Sequence, residues 1–126
     1  MYDFVVDLEI AKELKDNGFP QKTKFNWDKS IYDKKWDIQD NSIRPINFMP
    51  SITDSISGPI SEEILKELSK IIETPQIFFL YINCLEGMFN VYYQTNSGEE
   101  LIEIFDKKLS NALGKCYIFL KQNGYL

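Results

Sequence analysis

The sequence contains no histidine. That absence removes the commonest general base, most nucleophilic triads and most zinc and iron sites. Cysteine is almost as scarce. Cys84 and Cys116 are the only two, they lack CxxC spacing, and they read as reduced, buried thiols rather than a bridge. The six glycines are scattered at Gly18, Gly58, Gly87, Gly98, Gly114 and Gly124. None falls in the GxGxxG or GxxxxGK(S/T) spacing that cradles phosphates, and no cofactor is expected. Long apolar runs are missing too: the longest, Ile77 to Ile82, is far too short to span a bilayer. Positive charge is in deficit, with 14 Lys and Arg against 19 Asp and Glu and a formal charge of −5. A basic field able to hold nucleic acid or an anionic membrane is therefore absent over most of the surface. Met1 to Leu8 is acidic and lacks the apolar core of a secretory signal, so the expected compartment is cytoplasmic.

What is present describes a folded domain. A chain of 126 residues, 44% hydrophobic and 26% charged, fits one domain over residues 1–126 and buries enough surface to need no staple. Aromatic residues are plentiful at 14%, which implies a ring-rich core or rings left over for a binding face.

The periodicities predict an α+β fold. A first helix starts with Asp7 as N-cap, repeats Leu8, Ile10, Ala11 and Leu14 at helical spacing, and stops at Asn17-Gly18-Phe19-Pro20. Alternation over Lys24 to Trp27 and over Lys35 to Gln39 predicts an antiparallel hairpin with Phe25, Trp27, Trp36 and Ile38 on the buried face. Between Ile43 and Pro59 the prolines break any long element, leaving one short helical turn at Ser51 to Asp54. A second helix capped by Ser61 carries Ile64, Leu65, Leu68, Ile71 and Ile72. Strands follow over 76–83 and 88–95, joined at Cys84-Leu85-Glu86-Gly87. The first has two apolar faces, as expected of a strand covered on both sides, or covered on one and used for binding on the other. Ser97-Gly98-Glu99-Glu100 matches a capping box opening a long last helix, with Leu101, Phe105, Leu109, Ala112, Leu113, Cys116, Tyr117 and Leu120 as its stripe. Gly114 inside that helix suggests a close helix-to-sheet crossing, or failing that a partner helix. The predicted order is α-β-β-(short α)-α-β-β-α, with one antiparallel sheet of about four strands and helices mainly on one face.

Candidate chemistry is thin. Glu99, Glu100 and Glu103 are accounted for as first-turn acids of the last helix. Asp33, Asp37 and Asp40 fall around the hairpin, where a magnesium site would need a geometry the sequence does not specify. No catalytic or metal site is expected, and the protein is not read as an enzyme. The remaining functional hint is lysine beside aromatic residues. Lys22, Lys24, Trp27, Lys35 and Trp36 form a possible binding surface on the hairpin at residues 22–38, of the kind that stacks single-stranded nucleic acid. The simpler reading is that the rings point inward and the lysines solvate an edge.

The phrase Asp7-Leu-Glu-Ile-Ala-Lys-Glu-Leu-Lys15, followed by Asn17-Gly-Phe-Pro-Gln21, resembles the opening of small uncharacterised phage and prophage proteins with a DLE-AK-LK-GFPQ-like N-terminus. Those proteins continue with a tryptophan-containing hairpin, matched by Trp27 and Trp36. A proline-led helical start follows, matched by Met49-Pro-Ser-Ile-Thr-Asp54, and then a long helix, matched by the run to Phe119-Leu-Lys-Gln-Asn-Gly124. The sequence departs from them at Ser57-Gly58-Pro59. The resemblance implies a mobile-element origin and transfers no functional residue. Together these readings lead to a non-enzymatic protein-interaction domain acting on a host or phage protein. A single-stranded nucleic-acid binder is the alternative, and membrane association is not expected.

Overall fold

The computed structural model describes residues 3–43, 52–73 and 75–126. In chain order these form α1 (Leu8–Asp16), β1 (Phe25–Ser30), β2 (Trp36–Asp40), a 3-10 turn (Asn41–Ile43), β3 (Ile52–Ser57), α2 (Ser61–Glu67), β4 (Ile71–Ile72), β5 (Phe78–Leu85), β6 (Met88–Gln94), β7 (Glu100–Asp106) and α3 (Leu109–Gln122). The fold is α+β, but its strands form two antiparallel sheets rather than the single one expected. One has the order β2-β1-β3, the other β4-β5-β6-β7.

Local chemistry explains where elements begin and end. The stop of α1 follows its sequence signal: Gly18 takes φ +82°, Gly18 N–H donates to the Lys15 carbonyl and Phe19 N–H to that of Leu14. This is the paired closure that a left-handed glycine permits. Phe19 then folds back into the core, its ring edge-on to Tyr117 at 5.1 Å. Asp7 stands at the N-cap of α1 but makes no side-chain cap bond. Its carboxylate instead accepts from Lys108 Nζ at 2.6 Å and Asn111 Nδ2 at 2.8 Å, tying α1 to the start of α3. Helix α2 starts at Ser61 with Ile60 as its cap residue. Glu63 supplies the capping interaction by accepting the Ile60 N–H at 3.0 Å.

Three expectations are corrected. Of the proposed helical turn at Ser51 to Asp54 and the proline-led helix start at Met49, residues 49–51 lie outside the described residues. Ile52 to Asp54 belong to β3, which pairs with β1 across Trp27–Ile56 and Asp28–Ser55. Ile71 and Ile72 leave α2 and form β4. Ser97 to Glu100 opens no helix: Thr95 and Glu99 close a turn, with Gly98 at φ +95°. Leu101 and Phe105 therefore lie on β7. The β-branched alternation Ile102-Glu103-Ile104 fits a half-buried strand better than a helix.

One core joins both sheets, since Ile56 of β3 and Val91 and Tyr93 of β6 share a cluster with Ile10, Leu14, Leu113 and Leu120. Helix α3 is its axis, packing on α1, on α2 and on the inner face of β6 and β7, while α1 also packs on β3. Gly114 marks the α1–α3 crossing, so it serves a helix-to-helix contact and not the helix-to-sheet contact expected. A Cβ there would lie 2.8 Å from Ile10 Cγ2. Gly114→Ala would gain about 1 kcal/mol of helix propensity, but it overpacks a crossing where overpacking costs roughly 1–3 kcal/mol. A lowered melting temperature is the expected net result, read by thermal unfolding.

The junction of Asp7, Lys108 and Asn111 gives the fold a pH dependence. Burial works to raise the Asp7 carboxyl, but the Lys108 and Asn111 hydrogen bonds and the Lys108 charge bring it below the ordinary 3.8. Burial likewise opposes Asp106, which Lys115 Nζ at 2.8 Å and the Lys108 N–H draw downward. Both carboxyls bind protons more readily when the chain is unfolded, so their stabilisation is full above the unfolded value and fades as pH falls through the folded one. Urea midpoints should fall on acidification below about pH 5. Asp7→Asn should flatten that fall.

Candidate functional site

The β4–β7 sheet has two unlike faces. Toward the helices it presents Phe78, Val91 and Tyr93, all buried, and the Tyr93 hydroxyl donates to the Ser69 carbonyl. Paired residues share a face in an antiparallel sheet, so the register assigns the outward side. Ile71 lies beside Phe79, Tyr81 beside Tyr92, and Asn83 beside Asn90. Tyr92 also lies beside Glu103, and Asn90 beside Phe105. Among the described residues no helix packs on this side.

The outer face is built as a platform. The Tyr81 and Tyr92 rings stack at 5.1 Å and 18°, which fixes both side chains without hiding them. Asn83 Nδ2 donates to the Tyr92 hydroxyl at 3.1 Å, and Asn90 Nδ2 to Glu103 Oε2 at 3.2 Å. These bonds tie β5 to β6 and β6 to β7 across the face. Phe105 at 52% exposure, Ile71 at 46% and Tyr81 at 38% leave large apolar groups in water. Single exposed apolar residues are ordinary, whereas neighbouring ones on one face mark contact surfaces. The charged residues the register places on this face are acidic, Glu103 and, opposite Gln94, Glu100.

The hairpin read as a possible binding surface carries its candidates differently. Phe25, Trp27, Trp36 and Ile38 do share a face, with Phe25 buried and the others half-buried. The Trp27 indole N–H donates to the Val6 carbonyl at 3.0 Å, and Trp27 packs on Gly58, so that ring serves the fold. Trp36 has Lys12 Nζ at 5.6 Å and Lys29 Nζ at 6.0 Å from its ring. Lys12, Lys15, Lys29, Trp36 and Asp54 line one groove of about 410 Å3. Lys22 and Lys24 precede β1 and Lys35 precedes β2, which places them at opposite ends of the hairpin. Lys22 instead borders a small groove with Glu63, Lys66 and Glu67, and Lys24 Nζ lies 5.7 Å from the Phe25 ring. The five candidates thus do not form one patch.

No constellation elsewhere suggests catalysis among the described residues. None of their Cys, Asp and Glu residues gather in a group able to hold a metal. A groove of about 540 Å3 between β4 and the end of α3 contains one carboxylate, Glu73. Both cysteines are free thiols, but only Cys116 is buried; Cys84 is exposed, against expectation. Burial pushes the Cys116 thiol up to about 12, which leaves it protonated and unreactive at neutral pH. No helix among the described residues is long and apolar enough to cross a membrane.

Sequence reasoning missed Tyr92, Phe105, Asn90 and Glu103 as surface partners of Tyr81. The available signal was the two-sided apolar pattern of residues 76–83, and Phe105 was hidden by its assignment to a helix. No protein-family model matches the chain, and it has no significant match among curated proteins or solved structures.

Proposed function

We propose that this chain is a non-enzymatic protein-interaction domain that docks a partner protein on the outer face of its β4–β7 sheet. The observation that carries this reading is the stacked Tyr81–Tyr92 pair standing with Phe105 and Ile71 on a face that no described helix covers. Rigid aromatic side chains bury much area at little entropic cost and dominate protein interfaces. Glu103 and Glu100 on the same face, in a chain of charge −5, select a partner surface that is apolar with basic residues at its rim. Such a partner would be a host or phage protein, and the chain a product of a phage or other mobile element acting in the cytoplasm. The likeness of Asp7 to Gln21 to the phage-type N-terminus supports that setting.

Affinity capture from the native host tests the reading. A protein retained by the wild-type chain should be lost with Phe105→Asp and kept with Lys22, Lys24 and Lys35 changed to Ala. Loss with the lysine variant and retention with Phe105→Asp would refute it.

The single-stranded nucleic-acid alternative draws on one observation, the approach of Lys12 and Lys29 to Trp36 in a groove that also holds Lys15. Lys12 already pairs with Glu9 at 3.7 Å, and Asp16 and Asp54 border the groove. Fluorescence anisotropy with labelled single strands at two salt concentrations should detect no binding near physiological salt. The triple lysine change should leave stability within about 0.5 kcal/mol.

A further inference from the structure

Sheet β4–β7 has two edges, and they are protected unequally. The β7 edge carries Glu100, Glu103 and Asp106, and the ladder is irregular at Tyr93/Gln94. Charges and irregularities of this kind discourage strand addition. Strand β5 has neither. Its sequence, Phe-Phe-Leu-Tyr-Ile-Asn-Cys-Leu, holds no charge, proline or glycine, and its register with β6 is unbroken. Strand β4 covers it only at Phe78 and Phe79, with one further bond from Leu80 N–H to the Lys70 carbonyl. Beyond that point every residue from Tyr81 to Gly87 is exposed.

The direction of the open backbone groups follows from the ladder. Leu85 faces Met88 across a two-residue turn in which Glu86 and Gly87 both have positive φ, the geometry of a type I′ hairpin. The odd-numbered residues of β5 therefore bond to β6, and Leu80 points the other way, as its bond to Lys70 requires. Ile82 and Cys84 point outward with Leu80, so their N–H and C=O groups line the open edge.

We propose that β5 pairs antiparallel with β5 of a second copy of this chain, about a twofold axis at Asn83, joining two sheets into one. This goes beyond the docking face proposed above, and it would set two such faces side by side. The strand is complementary to itself in that register. Ile82 meets Cys84 of the second copy, and Tyr81 meets its Leu85, so apolar side chains face apolar ones on both sides of the sheet. Asn83 is the one carboxamide between Tyr81 and Leu85 and falls on the axis opposite its own mate. Its bond to Tyr92 uses one N–H and leaves the other N–H and the oxygen for the facing carboxamide. The pairing ends where β4 begins, which brings Glu86 of each hairpin tip toward Lys70 of the other copy. Both side chains are exposed, and neither has an ion-pair partner among the described residues. The occupant favoured by this symmetry is a second copy rather than an unrelated strand.

Sedimentation velocity on the full chain tests the pairing. The wild type should move from monomer to dimer with rising concentration, and Cys84→Lys, which places a charge at the joint, should stay monomeric with an unchanged circular dichroism spectrum. Cross-linking fixes the register. In a Cys84→Ser background, Asn83→Cys should oxidise to a covalent dimer, because directly opposed residues of a non-hydrogen-bonded pair lie about 4.5 Å apart at Cα, within disulfide reach. Leu85→Cys in the same background should not, since its mate lies four residues away along the strand. A wild type that stays monomeric at about 100 µM, far above a micromolar dissociation constant, would overturn the proposal. So would a dimer that persists in Cys84→Lys, or equal cross-linking at positions 83 and 85. Tyr81 borders both surfaces, so the docking face is judged separately at Phe105, which lies two strands from this edge.

Discussion

Leu113→Ala is expected to destabilise the fold by roughly 2–5 kcal/mol, the range for emptying a fully buried leucine site. Leu113 has no exposed surface and belongs to the cluster shared by both sheets. It lies in the helix that packs on α1, on α2 and on β6 and β7. A cavity there cannot close by a shift of one neighbour, because each flanking element is held by its own contacts. The gain of an alanine in helix propensity is only a few tenths of a kcal/mol and does not offset the loss. Urea unfolding should show a lower midpoint with an unchanged slope. A change of about 0.5 kcal/mol or less, the level of a surface substitution, would mean that this side of α3 does not face the core.

The largest expected effect on binding comes from the outer face of the β4–β7 sheet. Tyr81→Ala and Phe105→Ala should each weaken partner binding by about 2 kcal/mol or more, roughly thirtyfold in dissociation constant. Phe105 is 52% exposed in the free protein, so its loss should leave the urea midpoint nearly where it was. That separation distinguishes a contact residue from a structural one. Tyr81→Ala also removes the stacking partner of Tyr92, whereas Phe105→Ala disturbs no ring stack. If the two substitutions act through the interface, they should weaken binding to a similar degree despite this difference. Titration of the captured partner against each variant measures both.

Parts of this architecture were legible in the residues. The end of α1 was readable because Asn17-Gly18-Phe19-Pro20 specifies a backbone angle, a hydrophobic return and a forbidden continuation at once. The first hairpin was readable from its alternation, and Leu113 and Tyr117 were assigned to the core side of the last helix, where both are buried. The second half failed chiefly at Ser97 to Asp106. Ser97-Gly98-Glu99-Glu100 has the residue types of a capping box, and Leu101, Phe105 and Leu109 repeat at four-residue spacing. A strand that runs into a helix can reproduce that spacing by accident. Only the alternation through Ile102 and Ile104 told against it, and the difference was then decided by pairing with β6, which no local pattern records. The second sheet was lost for a related reason. Strand β3 lies among prolines and glycine, and its partner β1 is more than twenty residues away in sequence.

The candidate surface was less legible than the fold. Lysine beside tryptophan drew attention to the first hairpin, but proximity in sequence did not make a patch. Trp27 is held by Val6, and Lys35 stands at the far end from Lys22. The outer face is assembled from β4, β5, β6 and β7, with no strand contributing more than a few residues. Strand β5 is apolar on both sides, so its sequence leaves open which face a helix would cover. The packing of α3 on the inner side of β6 and β7 settles that choice.

Site-specific photo-cross-linking is the most direct measurement of the central claim, that a partner docks on the outer sheet face. A photoreactive phenylalanine analogue at position 105 should cross-link in the native host to one defined protein other than this chain. The same analogue at Tyr32, 85% exposed in the turn between β1 and β2, should not, and excess unlabelled wild type should suppress the product while Tyr81→Ala does not. Cross-linking at position 32 but not at 105, or a product at 105 that Tyr81→Ala suppresses as well as wild type does, would contradict the account.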